Sequence, residues 1–387
     1  MIPYFKISDV CEIIMGQSPP SDSYNDSQNG LPFFQGKADF GEINPTIRIY
    51  CDKPIKIAEN GDILLSVRAP VGDVNIADCK CCIGRGLAAI RSKDNKVNSK
   101  YLYYVLKKNK SKIENLGTGS TFKAINKKQI SDFLIPVPHI DEQLKIIHVL
   151  NMARNLINKR KAQIEALDQL TQSVFLEMFG DPVLNNMNWN TQKLSETGQL
   201  KRGLSKHRPR NAPELLGGAY PLVQTGDISK SGIFIKQYTQ TYSELGLKQS
   251  KLWPAGTLCI TIAANIAETG ILTFDACFPD SIVAYLPNSY MSNIYVHTWF
   301  SFLQRIIEAN APESAQKNIN LKILSELEIP VPPFEKQKKF ENFILNLENK
   351  RKLFEFSLFE LENSFNSLMQ RAFKGELFTE KEEVSAL

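Results

Sequence analysis

The sequence has few of the residues and segments that most enzymes and membrane proteins need. Its 387 residues include four histidines, and none stands beside a candidate nucleophile, so a histidine-assisted triad has little to work with. The most apolar runs, such as the one that begins at Leu258, are far too short to span a bilayer. We therefore expect no membrane segment. Seven cysteines, an odd number in a long chain, favour a reducing cytoplasm.

Motifs for nucleotide binding, metal binding and methyl transfer are also missing. The nearest approach to a phosphate-binding loop starts at Gly30, but five residues separate its glycines where four are needed, and Ala38 replaces Ser or Thr. The cysteines from Cys79 to Cys82 lack paired spacing and nearby histidines, so we interpret them as buried strand thiols and predict no metal site. No Asn/Asp-Pro-Pro-Tyr/Phe segment is present to hold a base for methyl transfer. These absences weaken enzymatic interpretations without excluding them.

The sequence does contain a long internal repeat. A shift of 194 positions aligns residues 135–179 with residues 329–373 without a gap, and both segments begin with Ile-Pro-Val-Pro. A shift of 195 aligns the stretch that begins at Gly61 with the one that begins at Gly256. Because a period this long indicates duplicated domains and not a solenoid, we interpret the chain as two copies of one unit.

Each copy is predicted to be a β-rich domain followed by a long helix. Strand-like runs punctuated by glycine and proline come first, and a short helix follows near residues 99–115 in one copy and 293–309 in the other. The Pro-Val-Pro segments then force an extended linker, since proline fixes its φ and disfavours a helical residue before it. The predicted division is residues 1–138 and 181–332 for the two β-rich domains, and residues 139–180 and 333–387 for the two helical regions with the tail.

The segments after the prolines have the spacing of a coiled coil. In the second copy, the seam positions alternate spacings of four and three from Phe340 to Ala372, and a shift of 194 finds the same seam from Ile146 to Met178. Helices of roughly 40 residues would be about 60 Å long. A stripe of this length must be covered, so we expect the two copies to pair within the chain in antiparallel orientation. Binding of each seam to a separate protein is the alternative.

Polar and basic side chains on Gly-punctuated loops are candidates for nucleic-acid contact, because phosphates need cations and base edges need amide or guanidinium groups. The richest patch runs from Lys201 to Arg210, with a solvated basic loop as the alternative interpretation. Arg68 suits guanine and Asn265 suits adenine by bidentate geometry, although each is also typical of a turn. The DNA-binding candidates are Gln17, Ser18, Gln35, Lys37, Arg68, Arg85, Lys123 and Asn126 in the first copy, and Lys201, Arg202, Lys206, His207, Arg208, Arg210, Gln224, Asp227, Asn265, Lys317 and Asn320 in the second.

Two of these candidates recur in both copies. Lys123 and Asn126 match Lys317 and Asn320 at the shift of 194, although the other loops of the two copies diverge. An unchanging role, such as phosphate contact or helix capping, therefore fits these residues better than the reading of bases.

Taken together, these motifs resemble the specificity subunits of type I restriction-modification systems over essentially the whole chain. The resemblance is carried in each copy by Lys-x-Ile-Asn, Ile-Pro-Val-Pro, a glutamine a few residues later and a long helix. Segments that begin at Gly61, Ser173 and Ser367 add to it (GDILLSVRAPVGDVNI, SVFLEMFGDP and SLMQRAFKGEL). It implies an α+β fold in which two similar β-rich target-recognition domains are separated by two long antiparallel coiled-coil helices, as a pseudo-twofold internal repeat.

The resemblance also implies a non-catalytic subunit that recognises an asymmetric bipartite target in double-stranded DNA. Each β-rich domain would read one half, while the helices would dock methyltransferase (M) subunits and the complex would position restriction (R) subunits. The chemistry would belong to those partners, which use S-adenosylmethionine, ATP and magnesium, so no cofactor is expected in this chain. Two alternatives remain open at this stage: a self-contained nuclease or methyltransferase with divergent motifs, and a coiled-coil scaffold that carries two globular heads. Activity of the purified chain alone would favour the first, and absence of sequence-specific binding the second.

A rigid helix pair would act as a ruler between half-sites about one helical turn of DNA apart. Inserting one heptad into both helices is therefore expected to change the length of the non-specific spacer while leaving both half-sites unchanged. Methylation mapping in a host that expresses the chain with its partner measures this, and altered half-sites would contradict the ruler.

Overall fold

The computed structural model of the chain describes residues 2–118, 123–263, 267–302 and 319–378. It consists of two compact units, residues 1–161 with 356–387 and residues 162–355. Each unit combines a β-rich part with segments of both long helices, which confirms the α+β class and the duplication. Within the described ranges, none of the helices has the length and apolarity that crossing a membrane requires. The four-part division of the sequence into domains stays a prediction.

The β-rich part of the first unit is built from short strands in three sheets. A four-stranded antiparallel sheet has the order β2-β10-β7-β8, a second sheet has the order β3-β5-β4-β9-β6 with β4 and β9 parallel, and β1 pairs with β11. The strands are β1 (Tyr4–Lys6), β2 (Cys11–Met15), β3 (Tyr24–Asn25), β4 (Leu31–Phe34), β5 (Tyr50–Cys51), β6 (Ile57–Ala58), β7 (Ile63–Ser66), β8 (Val74–Ile76), β9 (Cys81–Ile83), β10 (Leu87–Ser92) and β11 (Leu134–Pro136). The helices are α1 (Ile7–Val10), α2 (Ser99–Lys108), α3 (Lys110–Asn115), α4 (Lys127–Ser131) and the first long helix, α5 (Ile140–Phe179), which continues past the first unit.

The second unit repeats this plan. Its sheets have the orders β13-β21-β18-β19-β15 and β16-β14-β20-β17, with β14 and β20 parallel, and β12 pairs with β22. The strands are β12 (Thr191–Lys193), β13 (Gly198–Arg202), β14 (Leu216–Leu222), β15 (Phe234–Ile235), β16 (Gln240–Tyr242), β17 (Leu252–Trp253), β18 (Leu258–Thr261), β19 (Thr269–Leu272), β20 (Ala276–Cys277), β21 (Ile282–Pro287) and β22 (Glu328–Pro330). The helices are α6 (Leu194–Thr197), α7 (Thr225–Ser229), α8 (Glu244–Lys248), α9 (Asn293–Phe300), α10 (Leu321–Glu326) and the second long helix, α11 (Phe334–Lys374), which also contributes to the first unit.

The central strands are apolar on both faces because each lies between two cores. In β7, Ile63 and Leu65 belong to the core that contains α2, whereas Leu64 between them belongs to the core under the second sheet. Leu258 and Cys259 of β18 divide in the same way between two cores of the second unit. A strand covered on both sides has no need of alternating polar residues, which explains the continuous apolar runs in the sequence.

A buried glutamine joins the β-rich part to the long helix in the first unit. Gln143 is fully buried, and its Oε1 accepts a hydrogen bond from the backbone N–H of Asn98 at 2.9 Å. Its Nε2 donates to the carbonyls of Lys96 at 3.0 Å and Pro138 at 2.9 Å. One side chain therefore connects the loop before α2, the proline segment and the first long helix.

The same joint recurs in the second unit at positions shifted by 194. Gln337 is fully buried, accepts from the backbone N–H of Ser292 at 2.9 Å and donates to the carbonyls of Tyr290 at 3.2 Å and Pro332 at 2.9 Å. A tyrosine hydroxyl adds a bond to the proline strand of each unit, from Tyr101 to Pro136 and from Tyr295 to Pro330.

The coiled-coil seam is confirmed. Every predicted seam position in both long helices is buried or half-buried. In the first unit, Ile146 of α5 shares a core with Ala372 of α11, so an early residue of one helix lies with a late residue of the other. In the second unit, Phe175 packs edge-on against Phe340 with ring centroids 5.6 Å apart. The helical segments are thus paired in antiparallel orientation within each unit.

An ion pair links each long helix to the β-rich part of its unit, with opposite polarity in the two units. Arg154 lies 3.1 Å from the carboxylate of Glu42, and the aligned helix position in the second unit is Glu348, which lies 3.5 Å from Lys236. The helix partner is the more buried member of both pairs. Arg351, where the seam is interrupted by a charge, also contacts Glu348 at 3.2 Å.

Two local predictions need correction. The helix predicted over residues 99–115 is two helices that break at Asn109, whose side-chain amide donates to the carbonyl of Val105 at 2.8 Å and so competes with the backbone ladder. The proline segment is not only a linker, because residues up to Pro136 form strand β11, where Pro136 pairs with Tyr4 at the edge of a two-stranded sheet. The later part of the helix predicted over residues 293–309 lies outside the described residues.

Replacing Gln143 by Leu is expected to lower the free energy of unfolding by about 3 kcal/mol, because it leaves the N–H of Asn98 and the carbonyls of Lys96 and Pro138 without the partner that the buried amide provides. Urea denaturation measures the change. Gln163→Leu, on an exposed position of the same helix, is the matched control and should stay within about 0.5 kcal/mol of the parent. Equal effects of the two substitutions would contradict a structural role for the buried amide.

Candidate nucleic-acid interface

Four loops of the first unit meet where their strands end. After β4, the carbonyl of Phe34 accepts a hydrogen bond from the N–H of Gly84 at 2.8 Å, and after β2 the N–H of Gln17 donates to the carbonyl of Ile83 at 3.0 Å. The N–H of Val67 donates to the carbonyl of Gly86 at 2.8 Å, so Arg68, which follows Val67, lies beside the same loops. These bonds place five of the sequence candidates on neighbouring loops: Gln17, Ser18, Gln35, Arg68 and Arg85.

Glycines allow these loops to approach so closely. A Cβ on Gly86 would overlap the carbonyl oxygen of Gln35, and a Cβ on Gly16 would overlap the carbonyl oxygen of Gly84. In contrast, Gly36 has no atom within 4 Å of the place a Cβ would occupy. The backbone of the loop cluster is therefore fixed by contact at two of its glycines.

The candidate side chains of this cluster are exposed, whereas the backbone that carries them is held by hydrogen bonds. The backbone N–H of Arg85 donates to the hydroxyl of Ser18 at 3.3 Å, while both side chains are exposed. The carboxylate of Asp39 accepts from the N–H of Gln35 at 2.7 Å. Lys37 lies 3.1 Å from the carboxylate of Asp73, so its charge is partly compensated within the unit.

The two recurrent asparagines are helix caps. The side-chain oxygen of Asn126 accepts from the backbone N–H of Gln129 at 3.0 Å, and the backbone N–H of Asn126 donates to the side-chain oxygen of Gln129 at 2.8 Å, which is a capping box. Asn320 caps α10 by accepting from the N–H of Ile323 at 3.0 Å. Of the two roles expected, capping is therefore observed, and phosphate contact stays a prediction.

Of the two recurrent lysines, Lys123 lies within the described residues and Lys317 lies outside them. Lys123 is exposed, and its neighbour Ala124 forms a β-bridge with Arg68, so Lys123 lies beside the loop cluster of the first unit. The adenine candidate Asn265 also lies outside the described residues.

The basic loop of the second unit is held by a glutamine beneath it. Gln249 accepts from the backbone N–H groups of Lys206 at 2.7 Å and His207 at 3.1 Å through one side-chain oxygen. The loop follows β13, so Lys201 and Arg202 are strand residues and not loop residues as the sequence suggested. All five cations of the patch are exposed.

Asp280 contacts all three arginines of this patch. Asp280 lies 3.3 Å from the guanidinium of Arg208 through Oδ2 and pairs with Arg210 through Oδ1. Its backbone carbonyl accepts from the Nε of Arg202. Arg208 is also anchored by the carbonyl of Ser205, to which its Nη1 donates at 2.6 Å.

Gln224 and Asp227 follow β14 at the position that corresponds to the Gln35 loop of the first unit. The carboxylate of Asp227 accepts from the N–H of Gln224 at 2.9 Å, as Asp39 does for Gln35. The carboxylate of Asp227 is thus used in capping α7, whereas the amide of Gln224 is half-buried and bonds Gln240 at 2.6 Å.

The family follows from comparison with known proteins. The model described as "Type I restriction modification DNA specificity domain" matches residues 3–166 and 186–362, once in each half of the chain. The chain belongs to this specificity family. Two matches within one chain agree with the internal repeat seen in sequence and structure.

Curated relatives in the specificity family come from archaea and bacteria. A putative type I restriction enzyme MjaX specificity subunit of Methanocaldococcus jannaschii is 48% identical over 171 residues, which are 44% of this chain and 39% of the relative. The MjaIX specificity subunit of the same organism is 28% identical over 64% of this chain and 62% of its own length. The matches thus span less than two thirds of these relatives. The EcoDI specificity subunit of Escherichia coli is 23% identical over 96% of this chain and 88% of its own length.

Solved structures support the specificity-subunit fold. The S subunit of a type I restriction-modification system from M. genitalium matches with a TM-score of 0.55 at 18% identity and covers 96% of both chains. A chain from a structure concerned with complex assembly and conformational transition of the type I system matches with a TM-score of 0.64 at 15% identity, over 97% of this chain and all of that one.

Several cysteines and one histidine of the chain are buried. Cys81 and Cys82 are buried in β9 as free thiols, as interpreted from sequence, and burial raises the pKa of the Cys82 thiol to about 11. The same interpretation is wrong for Cys79, which is half-buried and precedes the strand. Burial lowers the pKa of His297 to about 4, so this ring is neutral at pH 7, with its Nδ1 2.8 Å from Thr269. In the part of the chain that the structure describes, no three His, Cys, Asp or Glu side chains are grouped to hold a metal ion.

Three residues that organise the loops were missed in the sequence: Asp39, Gln249 and Asp280. Asp39 and Asp227 both follow a strand-ending glutamine within four residues, a pattern that is visible once the two copies are compared. Asp280 aligns with Arg85 at the shift of 195, so the repeat itself marks its position. Gln249 has no such signal, because its partners are backbone N–H groups far from it in sequence.

Replacing Gly86 by Ala is expected to displace the Gln35 loop and lower the free energy of unfolding by about 2 kcal/mol, because its Cβ would meet a backbone oxygen that has little freedom to move. Gly36→Ala, in the same loop cluster but with open space around the new methyl, should change stability by less than about 0.5 kcal/mol. Urea denaturation compares the two, and a tolerated Gly86→Ala would contradict the close approach of the loops.

Proposed function

We propose that this chain is the DNA-recognition subunit of a type I restriction-modification complex, and that each unit reads one half of an asymmetric bipartite target in double-stranded DNA. The observation that carries the proposal is the pair of loop clusters, which occupy corresponding positions in the two units but carry different side chains. A duplicated frame with unlike exposed loops fits the reading of two unlike half-sites.

The chemistry of the exposed groups supports a contact with DNA. The first unit presents amide and hydroxyl groups with Arg68 and Arg85, which are the groups that bond base edges in the major groove. The second unit presents five cations between Lys201 and Arg210, which favour phosphate contact as well. The net charge of +5 is mild, so local patches and not the whole molecule would attract DNA.

In this proposal the chain carries no catalytic group, and methyl transfer and cleavage belong to M and R subunits that use S-adenosylmethionine, ATP and magnesium. Large apolar side chains on the long helices support docking of the M subunits. In the first unit Met152, Phe356 and Phe359 are each more than half exposed, and in the second unit Leu353 is 67% exposed. Apolar side chains that form a contiguous exposed patch are typical of protein interfaces, and Phe356 and Phe359 lie three positions apart on one helix and so share a face. The seven free thiols fit a reducing cytoplasm as the place of assembly.

The proposal is tested by expressing the chain with its M subunit and sequencing methylated DNA from the host, with a host that lacks the chain as the control. A bipartite methylated motif that appears only with the chain is expected. Methylation that does not depend on the chain, or methyl transfer to DNA by the purified chain alone with S-adenosylmethionine, would contradict it.

Replacing Lys206 by Ala in the assembled complex is expected to weaken binding about equally for all DNA sequences and to reduce the slope of log affinity against log salt by about 1, as the loss of one phosphate contact does. Lys350→Ala removes the same charge from an exposed position on the second long helix and serves as the control, with an unchanged slope. Fluorescence anisotropy across a salt series measures both. A loss confined to some sequences would instead assign Lys206 to base contact.

A further inference from the structure

We propose that Asp280 is a positioning residue for sequence recognition, and that its carboxylate directs the guanidinium groups of Arg208 and Arg210 toward a guanine in the half-site read by the second unit. This inference rests on the proposed function and adds the residues and the base that would set the preference of that unit.

The contacts around Asp280 engage both terminal nitrogens of Arg208 and one of Arg210, while the Nε–H of each arginine forms no hydrogen bond with the residues that the structure describes. Its two carboxylate oxygens are divided between the two arginines, Oδ2 to Arg208 at 3.3 Å and Oδ1 to Arg210. The other terminal nitrogen of Arg208 donates to the carbonyls of Ser205 at 2.6 Å and His207 at 2.9 Å. The side chains of Arg208 and Arg210 nevertheless stay 54% and 42% exposed, against 26% for Asp280.

Anchoring changes what an arginine can recognise. A freely rotating guanidinium satisfies any phosphate within reach, whereas an anchored one presents its remaining N–H groups in a fixed direction, as bidentate bonding to O6 and N7 of guanine requires. Lys201 and Lys206 provide the contrast within the same patch, since neither forms an ion pair with any side chain that the structure describes. Exposed ammonium groups of this kind suit phosphates.

The repeat places Asp280 where a recognition residue is expected. At the shift of 195 it aligns with Arg85, which lies in the loop cluster of the first unit between β9 and β10. Asp280 lies between the corresponding strands, β20 and β21. In the first unit, this loop itself carries a guanidinium group, that of Arg85. In the second unit, the corresponding loop carries the carboxylate of Asp280, which pairs with Arg208 and Arg210 from the loop after β13.

A simpler role for Asp280 is to neutralise part of the charge of the patch, and the two roles predict opposite results. If Asp280 only neutralises, Asp280→Asn strengthens binding to every sequence, makes the salt slope steeper by about 1 and leaves base preferences unchanged. If it positions the arginines, the same substitution lowers the preference for guanine at the second half-site and leaves the first half-site unaffected.

The experiment uses the complex with its M subunit and a duplex that carries the methylated motif, with each guanine of the second half-site replaced in turn by 7-deazaguanine, which lacks the N7 acceptor. For the parent, one replacement should weaken binding about 10-fold, the range expected for a bidentate base contact. In Asp280→Asn that penalty should fall to about 2-fold or less. Asp280→Glu, which keeps the charge, should restore part of it.

Two further variants keep the outcome interpretable. Arg208→Lys retains the charge but not the planar fork, so it should lose the 7-deazaguanine penalty while the salt slope is unchanged, even if Asp280→Asn folds poorly. Glu326→Gln, which removes one exposed carboxylate elsewhere in the second unit, is the matched control and should keep the full penalty.

A full penalty retained in both Asp280→Asn and Arg208→Lys, or no penalty at any guanine of the second half-site in the parent, would overturn the inference while leaving the proposed function intact. If the parent selects neither half-site, the proposed function itself fails.

Discussion

The rest of each unit depends on one buried amide, that of Gln143 in the first and Gln337 in the second. A glutamine side chain offers two donors and an acceptor in one plane, and here it bonds to backbone groups of two different segments in each unit, with a further contact from Gln337 to the sulfur of Met291 at 3.8 Å. Because buried backbone groups must be paired, the chain can leave its β-rich part only in the direction that satisfies them. The loops that we propose as the DNA interface are therefore held, through the sheets, in a fixed relation to the helical segment of their own unit.

Much of this could be predicted from the sequence, since the signals are periodic or repeated. The seam of each long helix follows from apolar spacings of three and four. Both helices begin directly after the proline segments, at Ile140 and Phe334, as expected. The duplication follows from a constant shift, and it carried over to the hydrogen bonds: Gln143 and Gln337 bond to groups that are themselves 194 positions apart. Buried strands such as β7 were recognisable because they lie between two cores and need no polar residues.

The loop clusters were less predictable for a physical reason. Arg208 and Asp280 are 72 positions apart, and only the pairing of β13 with β21 brings their loops together. Residue type alone also does not show the local contacts of these candidates: the carboxylate of Asp227 and the amide oxygen of Asn126 cap helices, and Lys37 pairs with Asp73. A polar residue at a strand end is often retained for the turn it makes, so the bases that it reads cannot be inferred from its identity.

The two units also show how a duplicated frame can diverge without losing its packing. At corresponding positions the polarity of an ion pair is reversed, Arg154 with Glu42 in one unit and Glu348 with Lys236 in the other. Each pair is compatible with its own unit only. If the β-rich part of one unit stood beside the helix of the other, Glu42 would face Glu348 or Lys236 would face Arg154, and like charges would be close together. The exchange of Arg85 for Asp280 in the loops follows the same rule, since the change is matched by arginines that arrive from a neighbouring loop. In both cases a change of charge at one position is matched by an oppositely charged partner within the same unit, so the two units keep their packing while their exposed loops carry different side chains.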